Sequence, residues 1–285
     1  MKPRADRQVE RAALGPYERT LAWLYALEKH AGIDLRLDRV RAATAALGHP
    51  ERAAPAFHVA GTNGKGSTAA MLAAILAAAG RRVGLYTSPH LVSFRERIVI
   101  GGVPISEAEV VEGVARIRGV LGDDCGLTCF EMITLLAWCT FAARGADVQV
   151  LEVGLGGRLD ATNVVTPEVT VITNVGRDHE QYLGSELAAI AAEKAGIIKT
   201  GVPVVSGATG EAAVVIAARA AALASPLETL GRDFVLDPGP RGRLVYRSPA
   251  GVIGALDIGL LGAHQRRNGA LAVRALELTP AFAPP

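Results

Sequence analysis

The chain is poor in cysteine, in aromatics and in any excess of charge. Cys125, Cys129 and Cys139 are its three cysteines in 285 residues. An odd, sparse set excludes a disulfide scaffold, and Cys125 with Cys129 has no second pair to complete a zinc site. These residues read as free thiols of a reducing compartment. Lys and Arg number 30 against 28 Asp and Glu, a net charge of +2, which argues against a dedicated nucleic-acid binder. Long apolar runs are missing as well: stretches such as Met132–Ala143 fall short of the roughly 18 residues a membrane span needs. The opening MKPRADRQVERAALG has no apolar centre of a secretion signal. The expectation is a cytoplasmic protein with no nucleic acid and no membrane as partner. Lysine itself is rare, five of the 30 basic residues, so Lys65 and Lys194 each invite a chemical reason.

What is present is a globular composition, 50% hydrophobic and 20% charged, well clear of disordered chains. Short β-type runs alternate with Ala-rich helical stretches. Residues 57–60, 82–86, 148–153, 169–173 and 202–205 read as strands. Residues 17–30, 67–79, 106–120, 128–144, 186–196, 212–224 and 264–278 read as helices. Runs at 95–100 and 103–105 flank Gly101-Gly102, a hairpin signal. Residues 234–258 read as two or three short strands. The alternation predicts an α/β fold, a mostly parallel sheet flanked by helices with a small β-rich subregion. In such sheets ligands bind beyond the carboxyl ends of the strands. The stretches after Ala60, around Glu152 and after Thr173 fall there.

Residues 58–68 read HVAGTNGKGST. A β-run enters Gly61 and a helix leaves from Ser67. Gly61, Gly64 and Gly66 allow positive φ and close approach to an anion. The N–H groups of Thr62, Asn63 and their neighbours, with the helix N-terminus, form an anion nest. Lys65 supplies positive charge for β- and γ-phosphates. Ser67 can cap the helix and face Mg²⁺. The spacing departs from the strict GxxxxGK[ST] pattern: the first gap is shorter, and Gly66 separates Lys65 from Ser67. A plain Gly-rich turn is the competing reading, and it leaves the lysine, the hydroxyl and the preceding strand as coincidences.

Glu152 closes an apolar strand, where a charge is costly unless paired or bound to metal. It reads as a Mg²⁺ anchor, with a salt bridge to Arg158 as the alternative. His179, in GRDH, lies past a third strand end, although imidazole suits magnesium less well than oxygen does. Ser88, in TSPHL, offers a hydroxyl past a fourth. Lys194, in EKAGII, is as readily a solvated helix lysine as a functional one.

Together these stretches resemble the folylpolyglutamate synthase/dihydrofolate synthase family of Mur-type ATP-dependent amide ligases. The resemblance is carried by HVAGTNGKGS (58–67), TSPHL (87–91), FRERI (94–98), LTCFE (127–131), LEVGLGGRLDATN (151–163), DHEQYLG (178–184), EKAGIIK (193–199) and GAHQRRNGALAV (262–273). It implies a P-loop NTPase-like Mur ligase central domain over residues 1–278. It also implies a ligase that uses ATP and Mg²⁺ to join L-glutamate to dihydropteroate or folate through an acyl phosphate. Position by position, it implies that Gly61, Thr62, Asn63, Gly64, Lys65, Gly66 and Ser67 hold the triphosphate and that Asn268 contacts adenine. Ser88 and Glu152 would ligate one Mg²⁺ and His179 a second. Lys194 matches the family lysine that is carbamylated. Thr128, Phe130, Leu159 and Asp160 match pterin-side contacts. Catalysis would fall to Lys65, Lys194 and His179.

The family carries a further α/β domain after the HQxxN helix. Residues 279–285 resemble the start of an interdomain linker, so that domain is expected to be absent and ligation by this chain impaired. A monomer is expected. The competing functions are another Mur-type amide ligase and a non-catalytic nucleotide-binding remnant.

Overall fold

The computed structural model describes residues 14–178 and 186–282 apart from residues 32–35. Its centre is a sheet of β1 (Ala56–Ala60), β2 (Val83–Tyr86), β3 (Ile98–Ile100), β4 (Val103–Pro104), β5 (Val148–Glu152), β6 (Val169–Ile172), β7 (Val204–Ser206) and β8 (Leu227–Thr229). The strand order is β4-β3-β2-β5-β1-β6-β7-β8. From β2 to β8 every pairing is parallel, and the β3–β4 hairpin adds an antiparallel edge. Gly101 and Gly102, at φ 58° and 79°, make the two-residue turn whose positive φ values suit the strand twist. A second, three-stranded antiparallel sheet holds β9 (Val235–Pro238), β10 (Leu244–Ser248) and β11 (Gly251–Leu256), the β-rich subregion expected at 234–258.

The helices are α1 (Pro16–Ala31), α2 (Leu37–Ala46), α3 (Lys65–Ala78), α4 (Glu107–Leu121), α5 (Cys129–Ala143), α6 (Leu187–Ala195), α7 (Gly210–Ala222) and α8 (His264–Glu277). Helix α2 falls where no helix was read in the sequence: Arg36 caps it without a side-chain bond, so the chain carries no polar N-cap signal there. Capping boxes start α4 at Ser106/Glu109 and α5 at Thr128/Glu131, each satisfying two free backbone donors reciprocally. Helix α5 is buried nearly all round, the pattern of a helix enclosed by other elements.

Alternate residues of the central strands enter different cores, as the two-residue strand period requires. Tyr86 and Leu151 join Trp138 and Phe141 under α1, α4 and α5. Phe57, Val59, Val148 and Val150 join Leu72 and Leu271 under α3 and α8. Between helices on both faces, the parallel strands from β2 to β8 thus place their carboxyl ends along one edge. The segment expected to begin a linker at 279 packs on the domain through its first residues. Thr279 is buried, and the Phe282 ring lies edge-on to Phe57, 5.8 Å between centroids.

Gly84 marks a tight contact between sheet and helix. A Cβ there would sit 2.7 Å from the Phe141 ring. Gly84→Ala is expected to cost about 1–3 kcal/mol through overpacking. Adding Phe141→Leu should recover part of it. Urea denaturation of the two variants checks this, and additive losses would contradict it.

Candidate active site

β1 delivers the chain into Gly61 at the carboxyl edge, and α3 starts four residues later. The helix begins at Lys65, with Gly64 as its N-cap at φ 80°. The expected start at Ser67 is therefore corrected. The left-handed turn at Gly64 lets Lys65 enter the first turn, and Ser67 lies inside that turn, accepting a bond from Gln265 Nε2 at 3.3 Å.

The loop is laced to the segment after β6. The Thr62 N–H donates to the Asn174 carbonyl at 3.0 Å. The Asn63 N–H donates to Asn174 Oδ1 at 3.0 Å, and Asn174 Nδ2 returns a bond to the Asn63 carbonyl at 2.7 Å. Thr173 Oγ1 donates to the same carbonyl at 2.7 Å, and the Thr62 hydroxyl bonds both backbone groups of Gly176. Two segments this close leave no room for side chains. A Cβ at Gly61, where φ is 151°, would lie 1.9 Å from Thr173 Oγ1. Asn268, buried on α8, backs the loop from elsewhere: a Cβ at Gly64 would lie 2.4 Å from its Oδ1. The sequence reading marked the stretch after Thr173 but not Asn174, Gly176 or Gln265. The only sequence signal for them is their place past a strand end and in HQRRN.

Two lysines share this loop. Lys65 Nζ donates to the Thr62 carbonyl at 3.2 Å. Lys194 Nζ donates to the Gly61 carbonyl at 3.0 Å. Lys194 is 4% exposed, so it is no solvated helix lysine. Burial, with the nearby Lys65 charge, lowers its pKa to about 8, opposed by Asp178. Cations gathered by backbone carbonyls at a helix N-terminus make a site suited to a polyanion.

Glu152 faces the same loop from β5 and is buried. The Ser88 N–H donates to its Oε2 at 2.9 Å, and the Gly66 N–H also reaches it. Arg158 does not: it pairs with Glu193 at 2.8 Å, which removes the alternative of a Glu152–Arg158 bridge. Desolvation chiefly raises the Glu152 pKa, against the Ser88 N–H and the Lys65 charge. A divalent cation would reverse that balance. The donors fit Mg²⁺, which takes one or two carboxylates and completes its shell from phosphates and water. Among the described residues no group of three or more His, Cys, Asp or Glu could hold a metal, so such an ion needs those external oxygens. His179 lies outside the described residues.

The pterin-side candidates gather one strand away. Thr128 spends its hydroxyl capping α5, accepting the Glu131 N–H at 3.2 Å. The half-buried Phe130 ring lies 5.9 Å from Tyr86 and underlies Gly154, whose Cβ would meet it at 2.5 Å. Leu159 is half-buried. Asp160 is buried, and its carboxylate accepts from the Gly154, Leu155 and Thr162 N–H groups at 3.0, 2.9 and 3.0 Å. Both oxygens accept bonds from within the loop, so Asp160 ties the 154–162 segment together.

Comparison with known proteins agrees with this geometry. Residues 59–219 match the Mur ligase middle domain. Folylpolyglutamate synthase of Lacticaseibacillus casei is 42% identical over 270 residues, covering 90% of this chain and 63% of that protein. Dihydrofolate synthase/folylpolyglutamate synthase of Bacillus subtilis is 40% identical, covering 92% and 63%. E. coli FolC, solved in complex with DHPP and ADP, superposes with a TM-score of 0.84 at 38% identity, covering 91% of this chain and 62% of that one. The chain thus spans about 63% of the length of these curated relatives. With a laced glycine loop, a buried carboxylate and a buried lysine set on the same sheet edge, the chain belongs to the folylpolyglutamate synthase/dihydrofolate synthase family of Mur-type ligases.

Proposed function

We propose that this chain carries the ATP-binding site of a ligase that joins L-glutamate to dihydropteroate, to folate or to both. The observation that supports this most is the Gly61–Gly64 loop, braced on Thr173–Gly176 and touched by two lysines, Lys65 and Lys194. In this reading the backbone N–H groups of Gly61 to Ser67 cradle the phosphates and Lys65 neutralises their charge. Ser88, Glu152 and the Ser67 hydroxyl hold Mg²⁺, joined by His179 for a second ion. Asn268 serves the nucleotide side. Thr128, Phe130, Leu159 and Asp160 form the acceptor side.

The nucleotide supplies the phosphoryl group that makes a poorly electrophilic carboxylate displaceable by an amine. The chain's own residues bind, orient and neutralise. Lys65 and the α3 N-terminus stabilise negative charge on the transferring group, an effect largest in a water-poor site. Glu152, held by N–H groups and not by a guanidinium, is free to meet the cation, whose charge would offset the desolvation that raises its pKa. Lys194 is buried, has a lowered pKa and is one bond from the loop. That combination suits an amine that carbamylation turns into an anionic oxygen ligand.

Calorimetric titration of MgATP, with and without dihydropteroate, tests this reading. Wild-type chain should bind, and dihydropteroate should strengthen binding. Lys65→Ala should weaken it at least tenfold, and Gly61→Ala should abolish it, because a Cβ there collides with Thr173. A Lys65→Ala chain that binds like wild type would sink the assignment.

The lowered pKa of Lys194 has a signed consequence. Between about pH 8, its folded value, and the ordinary lysine value, the unfolded chain holds a proton that the folded chain has released. Stability therefore gains from Lys194 as pH rises through that window. Lys199, also lowered to about 8, contributes with the same sign, so the difference between wild type and Lys194→Met isolates Lys194. Denaturation curves from pH 7 to 10 should show wild type gaining relative to Lys194→Met. Parallel curves would place the amine in solvent.

A further inference from the structure

His58 is fully buried in β1, three residues before Gly61, and lies outside the machinery assigned above. Its Nε2 is 2.8 Å from Thr162 Oγ1. The Thr162 hydroxyl in turn donates to Asp160 Oδ1, and Asp160 Oδ2 accepts the Gly154 and Leu155 N–H groups. A continuous chain of bonds thus runs from the strand that feeds the phosphate loop to the loop that carries Gly154, Leu159 and Asp160.

The protons in this chain have one consistent arrangement. Three backbone N–H groups already point at the Asp160 carboxylate. With the Thr162 hydroxyl as the fourth donor, its acceptor sites are filled and it is ionised. Burial outweighs the lowering effect of these donors and raises the Asp160 pKa, yet with every acceptor site taken a proton there would have to displace one of the four bonds. Thr162 Oγ1 gives its proton to Asp160, so it accepts one from His58 Nε2. His58 Nδ1 meets no partner among the described residues. An orphaned lone pair is tolerated more readily than an orphaned buried N–H, which again places the proton on Nε2. Burial and the Lys199 charge bring the ring's pKa down to about 3, so the imidazole is neutral across the working range.

We propose that His58 is a positioning residue: through Thr162 it fixes the Asp160 carboxylate, and with it the 154–160 wall of the acceptor site. The proposal rests on the assignment of that wall to the pterin acid. It explains why a polar ring occupies a central strand between apolar neighbours, where its desolvation is costly. It also couples the two substrates' loops through one strand. A shift of β1 toward the phosphate loop moves His58, and His58 moves the donor that Asp160 depends on.

The test compares His58→Phe, Thr162→Val and Thr162→Ser in the 285-residue chain. Measurements are MgATP and dihydropteroate affinity and hydrogen exchange at the Gly154 and Leu155 amides. Thr162→Val and His58→Phe should each weaken dihydropteroate binding at least tenfold and speed exchange at both amides. MgATP affinity should stay within about threefold. Thr162→Ser, which keeps the hydroxyl, should restore both, and the two disruptive changes should not add, as expected for partners in one network. Equal losses for both ligands, or unchanged exchange at the two amides, would overturn the proposal and leave His58 a packing residue. Should His58→Phe fail to fold, the Thr162 pair decides alone. A wild-type chain that binds MgATP but no dihydropteroate overturns the acceptor assignment and this role together, whereas failure of the variants in a binding-competent wild type overturns only the role.

Discussion

The approach of two backbone segments at Gly61 sets the geometry of the whole site. Thr173 Oγ1 occupies the space where a side chain at position 61 would be. Lys194 reaches the Gly61 carbonyl from α6, and β6 hands the chain directly to Thr173 and Asn174. Parallel pairing of β1 with β6 puts Ala60 opposite Ile172, so the loops that follow emerge side by side. Asn174 then bonds both the N–H and the carbonyl of Asn63. A glycine-rich loop has high conformational entropy when free. Here side-chain amides and hydroxyls take over its backbone groups and hold it open before any ligand arrives, which is the condition for binding without a large ordering cost.

The same closeness explains the electrostatics. Lys65 and Lys194 are near enough for one to depress the other's basicity, an arrangement that is unfavourable without an anion. Glu152 offsets it only in part, because its own charge is disfavoured by burial. The protein thus maintains a small cationic excess in a shielded place, at some cost to stability. Strained or frustrated electrostatics of this kind concentrate at functional sites.

Much of this was legible in the sequence, for identifiable reasons. The alternation of apolar runs and Ala-rich stretches gave the sheet and its flanking helices, because buried parallel strands leave continuous apolar runs. The Gly101-Gly102 hairpin and the Ser106 and Thr128 helix starts follow from local turn and capping chemistry. The spacing of Gly61, Gly64, Lys65 and Ser67 marked the loop. Long-range pairings were not legible. Nothing local says that Asn174 braces Asn63, that Asn268 backs Gly64, or that Asp160 turns its carboxylate inward onto Gly154 and Leu155. The start of α3 was misplaced because a left-handed Gly64 cap looks the same in sequence as any loop glycine. Lys194 was undecidable because a lysine's burial depends on elements far away in the chain.

Glu152 shows how a long-range pairing decides function. A carboxylate at the end of a buried strand must be neutralised, and Arg158, six residues on, was a plausible partner. Had the guanidinium taken it, both oxygens would be held in a fixed fork, with the charge cancelled in place. Arg158 instead goes to Glu193 on α6, and in doing so ties the 154–163 loop to the helix that carries Lys194. Glu152 is left with N–H donors from Ser88 and Gly66. Such donors orient a carboxylate but do not cancel its charge. In the proposed site, where the adjacent loop holds phosphates, that carboxylate would be matched most directly by a hard cation that brings its own oxygen ligands. Because Arg158 turns to Glu193, the strand-end carboxylate has no guanidinium partner, as the proposed metal role requires.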